Sequence, residues 1–203
     1  MDKQDIRIAF VGDSFINGTG DPEYLGWEGR VCEYIQHSNP DIELTSYNLG
    51  IRRETSSDIL KRFENELYSR LIDGDRFIVV LSFGINDCVE IDGVQRVDFE
   101  KSAQNLEIIL AVLRQKYDNV LFVMPAPIAD EEINSRIQKV IRMYKTVCKN
   151  LNINYIDLFN QLKNDSVWQK ETSENDGAHP RSKGYEIFAK HVLDNENWTQ
   201  LWK

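Results

Sequence analysis

The stretch IRIAFVGDSFINGTGD, residues 6–21, divides at Gly12. Before that glycine the run is apolar and β-branched apart from Arg7; after it come Asp13, Ser14 and two more glycines. A strand with one wet face alternates polar and apolar residues, and residues 6–12 do not. They read as a strand buried on both faces, the habit of a parallel sheet covered by helices. Segments 42–50 (IELTSYNLG), 77–84 (FIVVLSFG), 120–126 (VLFVMPA) and 153–159 (INYIDLF) are further strands of the same kind.

Helical spacing fills the intervals. Leu60, Phe63, Leu67 and Leu71 follow the capping signal TSSD at 55–58. Phe99, Ala103, Leu106, Leu110, Leu113 and Tyr117 form one apolar stripe, and Ile133, Ile137, Val140, Ile141, Tyr144 and Val147 another. Segments 26–36 and 182–193 complete the set, the latter as the last helix. Strand and helix alternate five times, which predicts an α/β fold with a parallel sheet. Right-handed crossovers leave few topologies, and a flavodoxin-like order 2-1-3-4-5 fits. With no repeat or linker, residues 1–203 read as a single domain.

Acidic residues number 33 against 24 basic ones, a formal charge of -9 that repels nucleic-acid phosphates and anionic lipid. No signal peptide or membrane span is legible. Cys32, Cys88 and Cys148 are odd in number and far apart, which points to reduced, buried thiols in a cytoplasmic protein.

Ligands of open α/β sheets bind beyond the carboxyl ends of the strands. Those ends carry Ser14 in GDS, Asn48 and Gly50 in NLG, and Asn86 and Asp87 in GIND. Asp176 and His179 lie in DGAHP before the final helix. A serine becomes a nucleophile when a histidine takes its proton, and a carboxylate orients that histidine. Asp176 and His179, three apart around a glycine, suit the second pairing. An acyl-transfer intermediate also needs oxyanion donors, and the backbone N–H of Ser14, that of Gly50 and the amide of Asn86 are candidates.

These four blocks, in this order across residues 12–179, resemble the SGNH (GDSL-type) serine hydrolases. The resemblance implies a three-layer α/β/α sandwich and hydrolysis of carboxylic esters, sometimes thioesters, with no metal or organic cofactor. It implies Ser14 as nucleophile, His179 as general base and acid, and Asp176 as its orienting carboxylate, with Ser14, Gly50 and Asn86 forming the oxyanion hole. Two letters depart from the pattern: Phe15 replaces a leucine, with little expected consequence, and Arg53 stands where a second glycine is common. Arg52 or Arg53 reaching an anionic group, and Asp13 beside the nucleophile, are the candidate substrate contacts. A thioesterase or acyltransferase with the same triad, and a catalytically silent binding module, remain alternatives.

Plainer roles compete for several residues. Ser14 alone would be a helix N-cap. Asp13 as a metal ligand lacks companions in a chain with three histidines, of which His37 and His191 read as exposed helix residues. Asp87 is expected to brace the turn that carries Asn86, and Cys88 to be a buried filler. The glycines of GTGDPEYLG miss the dinucleotide pattern. The tail NWTQLWK is expected to dock its tryptophans rather than gate the pocket. Loops 88–97, 125–131 and 160–175 are expected to wall that pocket, around a short acyl or acetyl ester, and activity should rise with pH as His179 loses its proton.

Overall fold

The computed structural model describes residues 3–202. Five parallel strands form the main sheet: β1 (Gln4–Gly12), β2 (Ile42–Gly50), β3 (Arg76–Ser82), β6 (Asn119–Val123) and β7 (Asn154–Ile156), in the order β2-β1-β3-β6-β7. With the small hairpin β4 (Glu90–Ile91) and β5 (Val94–Gln95) set aside, this is the expected order. The central strands are dry, as their composition required: Ile8, Ala9, Phe10 and Val11 of β1 and Ile78, Val79, Val80 and Leu81 of β3 are all 0% exposed.

Helices cover both faces, giving a three-layer α/β/α sandwich. α3 (Ser56–Tyr68), α4 (Phe99–Lys116) and α5 (Glu131–Asn150) pack side by side, while α2 (Gly26–Ser38) packs on α8 (Ser182–Leu193). Trp27 of α2 meets Phe10 of β1 edge-on at 5.5 Å and Phe188 of α8 at 5.0 Å, locking that layer to the sheet. The TSSD signal works as expected: Thr55 N–H donates to Asp58 Oδ2 at 3.1 Å and α3 begins at the next residue. β3 stops at Ser82, short of the expected Gly84, whose φ of +126° breaks the ladder and where a Cβ would fall 3.0 Å from the Tyr144 ring.

Three further departures lie outside the sheet. Residues 88–97 form the β4–β5 hairpin, turning at Asp92 and Gly93, both with positive φ. The stretch 160–181, between the last expected strand and the last expected helix, contains most of α6 (Phe159–Lys163) and all of α7 (Ser166–Glu174). A short α9 (Glu196–Thr199) follows α8, and the tail docks: Trp198 is 1% exposed, and Arg76 Nη2 donates to Leu201 O. Lys203, the last residue of that tail, lies outside the described residues. Among the described residues no helix is long and apolar enough to cross a membrane.

Strand register positions the site. Gly12 of β1 lies level with Gly50 of β2 and with Ser82 of β3. The segments leaving those three strands therefore emerge together on one rim.

Candidate active site

β1 ends at Gly12 and the chain turns into α1 (Ser14–Asn17). Asp13, not Ser14, caps this helix, its Oδ1 accepting from Phe15 N–H at 3.0 Å. The serine hydroxyl is thereby left to another partner. His179 Nε2 lies 2.7 Å from Ser14 Oγ, and His179 Nδ1 lies 2.7 Å from Asp176 Oδ2. With the imidazole proton on Nδ1, donated to Asp176, Nε2 accepts the Ser14 Oγ–H. Residues 165 apart in sequence are thus joined in one hydrogen-bonded row.

The DGAH turn holds the imidazole. Asp176 Oδ1 accepts from Ala178 N–H at 3.0 Å and His179 N–H at 2.8 Å, leaving Oδ2 for the imidazole. Gly177 supplies the positive φ, +82°, that this turn requires. Its carbonyl accepts from Ala129 N–H at 2.9 Å, tying the turn to the loop between β6 and α5. Partial burial pushes the Asp176 carboxyl up, but the hydrogen bonds from His179 and Ala178 outweigh it and hold the group below the usual aspartate value. The imidazole packs against the Phe15 ring, centroids 5.0 Å apart, and Phe15 in turn stacks on Trp168 at 6.3 Å. Phe15 is therefore a wall of the site, a role its place in the sequence did not suggest.

Ser14, Asn86, Asp176 and His179 open into a cleft of about 510 Å³, lined also by Phe15, Ile85, Val89, Ile128, Asp130 and Ile133. Loops 88–97 and 125–131 contribute as expected. Residues 160–175 do not line it; they border a separate cavity of about 250 Å³ behind Ile128 and Ala129.

The expected oxyanion donors fare differently. Ser14 N–H has no acceptor among the described residues. Asn86 Nδ2 donates to Glu54 O at 3.0 Å and makes only a 3.4 Å contact with Asp13 Oδ2, so one of its two hydrogens is weakly held. Gly50 departs from expectation: its N–H donates to Asn48 Oδ1 at 3.0 Å and it does not line the cleft. It is glycine for another reason, since a Cβ there would fall 2.2 Å from Asn17 N.

Both candidate substrate contacts are corrected. Asp13 is 1% exposed and absent from the cleft lining, held by the α1 cap, so substrate has no access to it. Burial foremost, with the charges of Asp87 and Glu54 adding, pushes its carboxyl up to about 7. Arg53 is exposed with φ +68°, and neither it nor Arg52 lines the cleft; the Arg53 carbonyl accepts from Arg96 Nη2 at 2.8 Å.

Asp87 braces the Asn86 turn from below. Its carboxylate, 0% exposed, accepts from Ser56 N–H at 2.8 Å and Ser102 Oγ–H at 2.5 Å, with Tyr144 OH 2.5 Å from Ser102 Oγ. The turn is so pinned to α3, α4 and α5 at once. Arg62, which sequence reasoning passed over, donates to Gly12 O, Leu49 O and Glu54 Oε2, closing the ends of β1 and β2 onto the loop that receives Asn86. Cys88 is fully buried, and burial pushes its thiol up to about 12, which makes it inert as a nucleophile. Among the described residues no cluster of three or more His, Cys, Asp or Glu is placed to hold a metal.

Residues 10–187 match the model of the GDSL-like Lipase/Acylhydrolase family. The uncharacterized protein YpmR of Bacillus subtilis (strain 168) is 28% identical over a 215-residue alignment covering 94% of this chain and 81% of that protein. A lipase/acylhydrolase from Enterococcus faecalis has a similar structure, with TM-score 0.70 at 22% identity, covering 92% of this chain and 93% of that one. So does Axe2, an acetylxylan esterase from Geobacillus stearothermophilus, with TM-score 0.73 at 18% identity and 92% of each chain covered. At such identities these two structures speak for the fold, while the family match spans most of the sequence. The chain belongs to the GDSL-like lipase/acylhydrolase family and is a carboxylic ester hydrolase.

Proposed function

We propose that the protein is a serine esterase that cleaves esters of small acyl groups through an acyl-enzyme. The observation that carries this reading is the row Asp176–His179–Ser14, with 2.7 Å at both links. Ser14 Oγ attacks the acyl carbonyl as His179 Nε2 takes its proton; Asp176 keeps the ring oriented and stabilises the imidazolium. Ser14 N–H and Asn86 Nδ2 receive the oxyanion, with Gly50 N–H available only if Asn48 releases it. His179 then protonates the leaving alcohol, and water repeats the sequence in reverse to free the acid.

Residues 1–203 act in this reading as one domain, needing no cofactor. Three buried, unpaired cysteines support a reducing compartment such as the cytoplasm. A fluorophosphonate probe should label the wild type at Ser14 and leave Ser14→Ala unlabelled, read by intact-mass spectrometry. Folded wild type that resists the probe and cleaves no ester would mean that the row is not catalytic.

A further inference from the structure

Resting on that esterase reading, we propose that the substrates are esters joining a neutral aliphatic acyl group longer than acetyl to an uncharged alcohol, with Ile85, Val89 and Ile133 selecting the acyl chain. The direction of each half follows from proton transfer. The leaving oxygen takes its proton from His179 Nε2, so the alcohol departs on the imidazole side. That side is lined by Asp176, Gly177 and Ala178, with the Ile128–Asp130 segment beside them through the Ala129 N–H to Gly177 O bond of 2.9 Å.

With the oxyanion at Ser14 N–H and Asn86 Nδ2 and the alcohol beside His179, the acyl chain is left the wall next to Asn86, where Ile85, Val89 and Ile133 line the cleft. Ile85 and Val89 flank the Asn86–Cys88 turn. Ile133 stands on the first turn of α5, one helical turn before Arg136, whose Nε donates to Cys88 O at 2.8 Å. Three aliphatic side chains therefore share this wall. A methyl covers only the part next to the carbonyl; each further methylene takes more apolar surface out of water, about fourfold in kcat/KM.

Charge sets the second limit. Among the described residues no lysine or arginine lines the cleft, whereas Asp130 and Asp176 do, in a chain of formal charge -9. A carboxylate or phosphate on either half of the ester meets like charge without a cation to receive it.

The test compares ethyl acetate, ethyl butyrate and monoethyl succinate by pH-stat titration, with Ser14 labelling by the fluorophosphonate probe measured on the same enzyme. Butyrate and succinate monoesters present acyl groups of equal carbon count, differing in a terminal methyl against a carboxylate, and Ile133→Lys isolates the charge contribution. Butyrate is expected to exceed acetate by about 15-fold in kcat/KM, two methylenes' worth. It should exceed the succinate monoester by about tenfold or more. Ile133→Ala should shrink the butyrate-to-acetate ratio about threefold or more, and Ile133→Lys should raise the succinate-to-butyrate ratio about tenfold. Labelled wild type that takes acetate, or the succinate monoester, as well as butyrate overturns the acyl assignment and leaves the esterase standing. Wild type that neither labels nor cleaves any ester overturns both.

Discussion

Ser14 has two habits open to it at a strand-to-helix junction, and its neighbour decides between them. Because the Asp13 carboxylate caps α1, the Ser14 hydroxyl is left to face His179 Nε2. Asp176 divides its two oxygens in the same spirit: Oδ1 builds the turn and Oδ2 holds the imidazole. Asp176→Asn retains an oxygen for the turn but offers an amide where Nδ1–H needs an acceptor, favouring the wrong tautomer. We expect kcat to fall about 10²- to 10⁴-fold with KM changed little, because the loss is confined to orienting the base. Steady-state kinetics measures it. A drop in KM-linked binding with kcat intact would assign Asp176 to substrate instead.

At the scale of elements, the site depends on two distant loops being clamped together. Asp21, its side chain fully buried, accepts from Gly26 N–H at 2.9 Å, Arg30 Nη1 at 2.5 Å and Ser182 Oγ–H at 3.1 Å. Tyr185 OH donates to Thr19 O at 2.8 Å. These bonds join the loop after α1 to α2 and to the start of α8, just past His179. Asp21→Ala strands Arg30 in a buried setting with only the exposed Glu23 and a backbone carbonyl as partners. Chemical denaturation should register a loss of about 3–5 kcal/mol, most of it from the uncompensated cation. Adding Arg30→Met should recover much of that loss; a double variant as unstable as the single one would contradict the clamp.

For the molecule as a whole, two buried carboxyls make stability depend on pH near neutrality. Burial, against an opposing hydrogen bond from Asn48, pushes Glu28 up to about 7, and Asp13 is raised to a similar value. Both folded values exceed the unfolded ones, so the native state holds protons that the unfolded chain has released. Stability is therefore fullest at the acid end of the window and declines from the ordinary glutamate value of 4.5 to about 7. Glu28→Gln should flatten that decline by about 3 kcal/mol, leaving the Asp13 share, as read by urea midpoints across the window. An unchanged slope would show that Glu28 stays ionised when buried. The architecture behind these terms was legible because apolar periodicity is local: strand segments, helix stripes and the polar blocks at strand ends lie within short windows, and the right-handed crossovers of alternating strands and helices left few sheet orders. The Asp92–Gly93 turn signal was also there to be read. α6 and α7 were not, being too short to display a stripe. What only the tertiary structure decided were the partners: Asn48 for the Gly50 N–H, Asp13 as cap and not contact, Arg53 outside the cleft, Phe15 beneath the imidazole. A hydrogen-bonding group takes whichever complement the register and the packed helices bring within reach, and those atoms come from far along the chain.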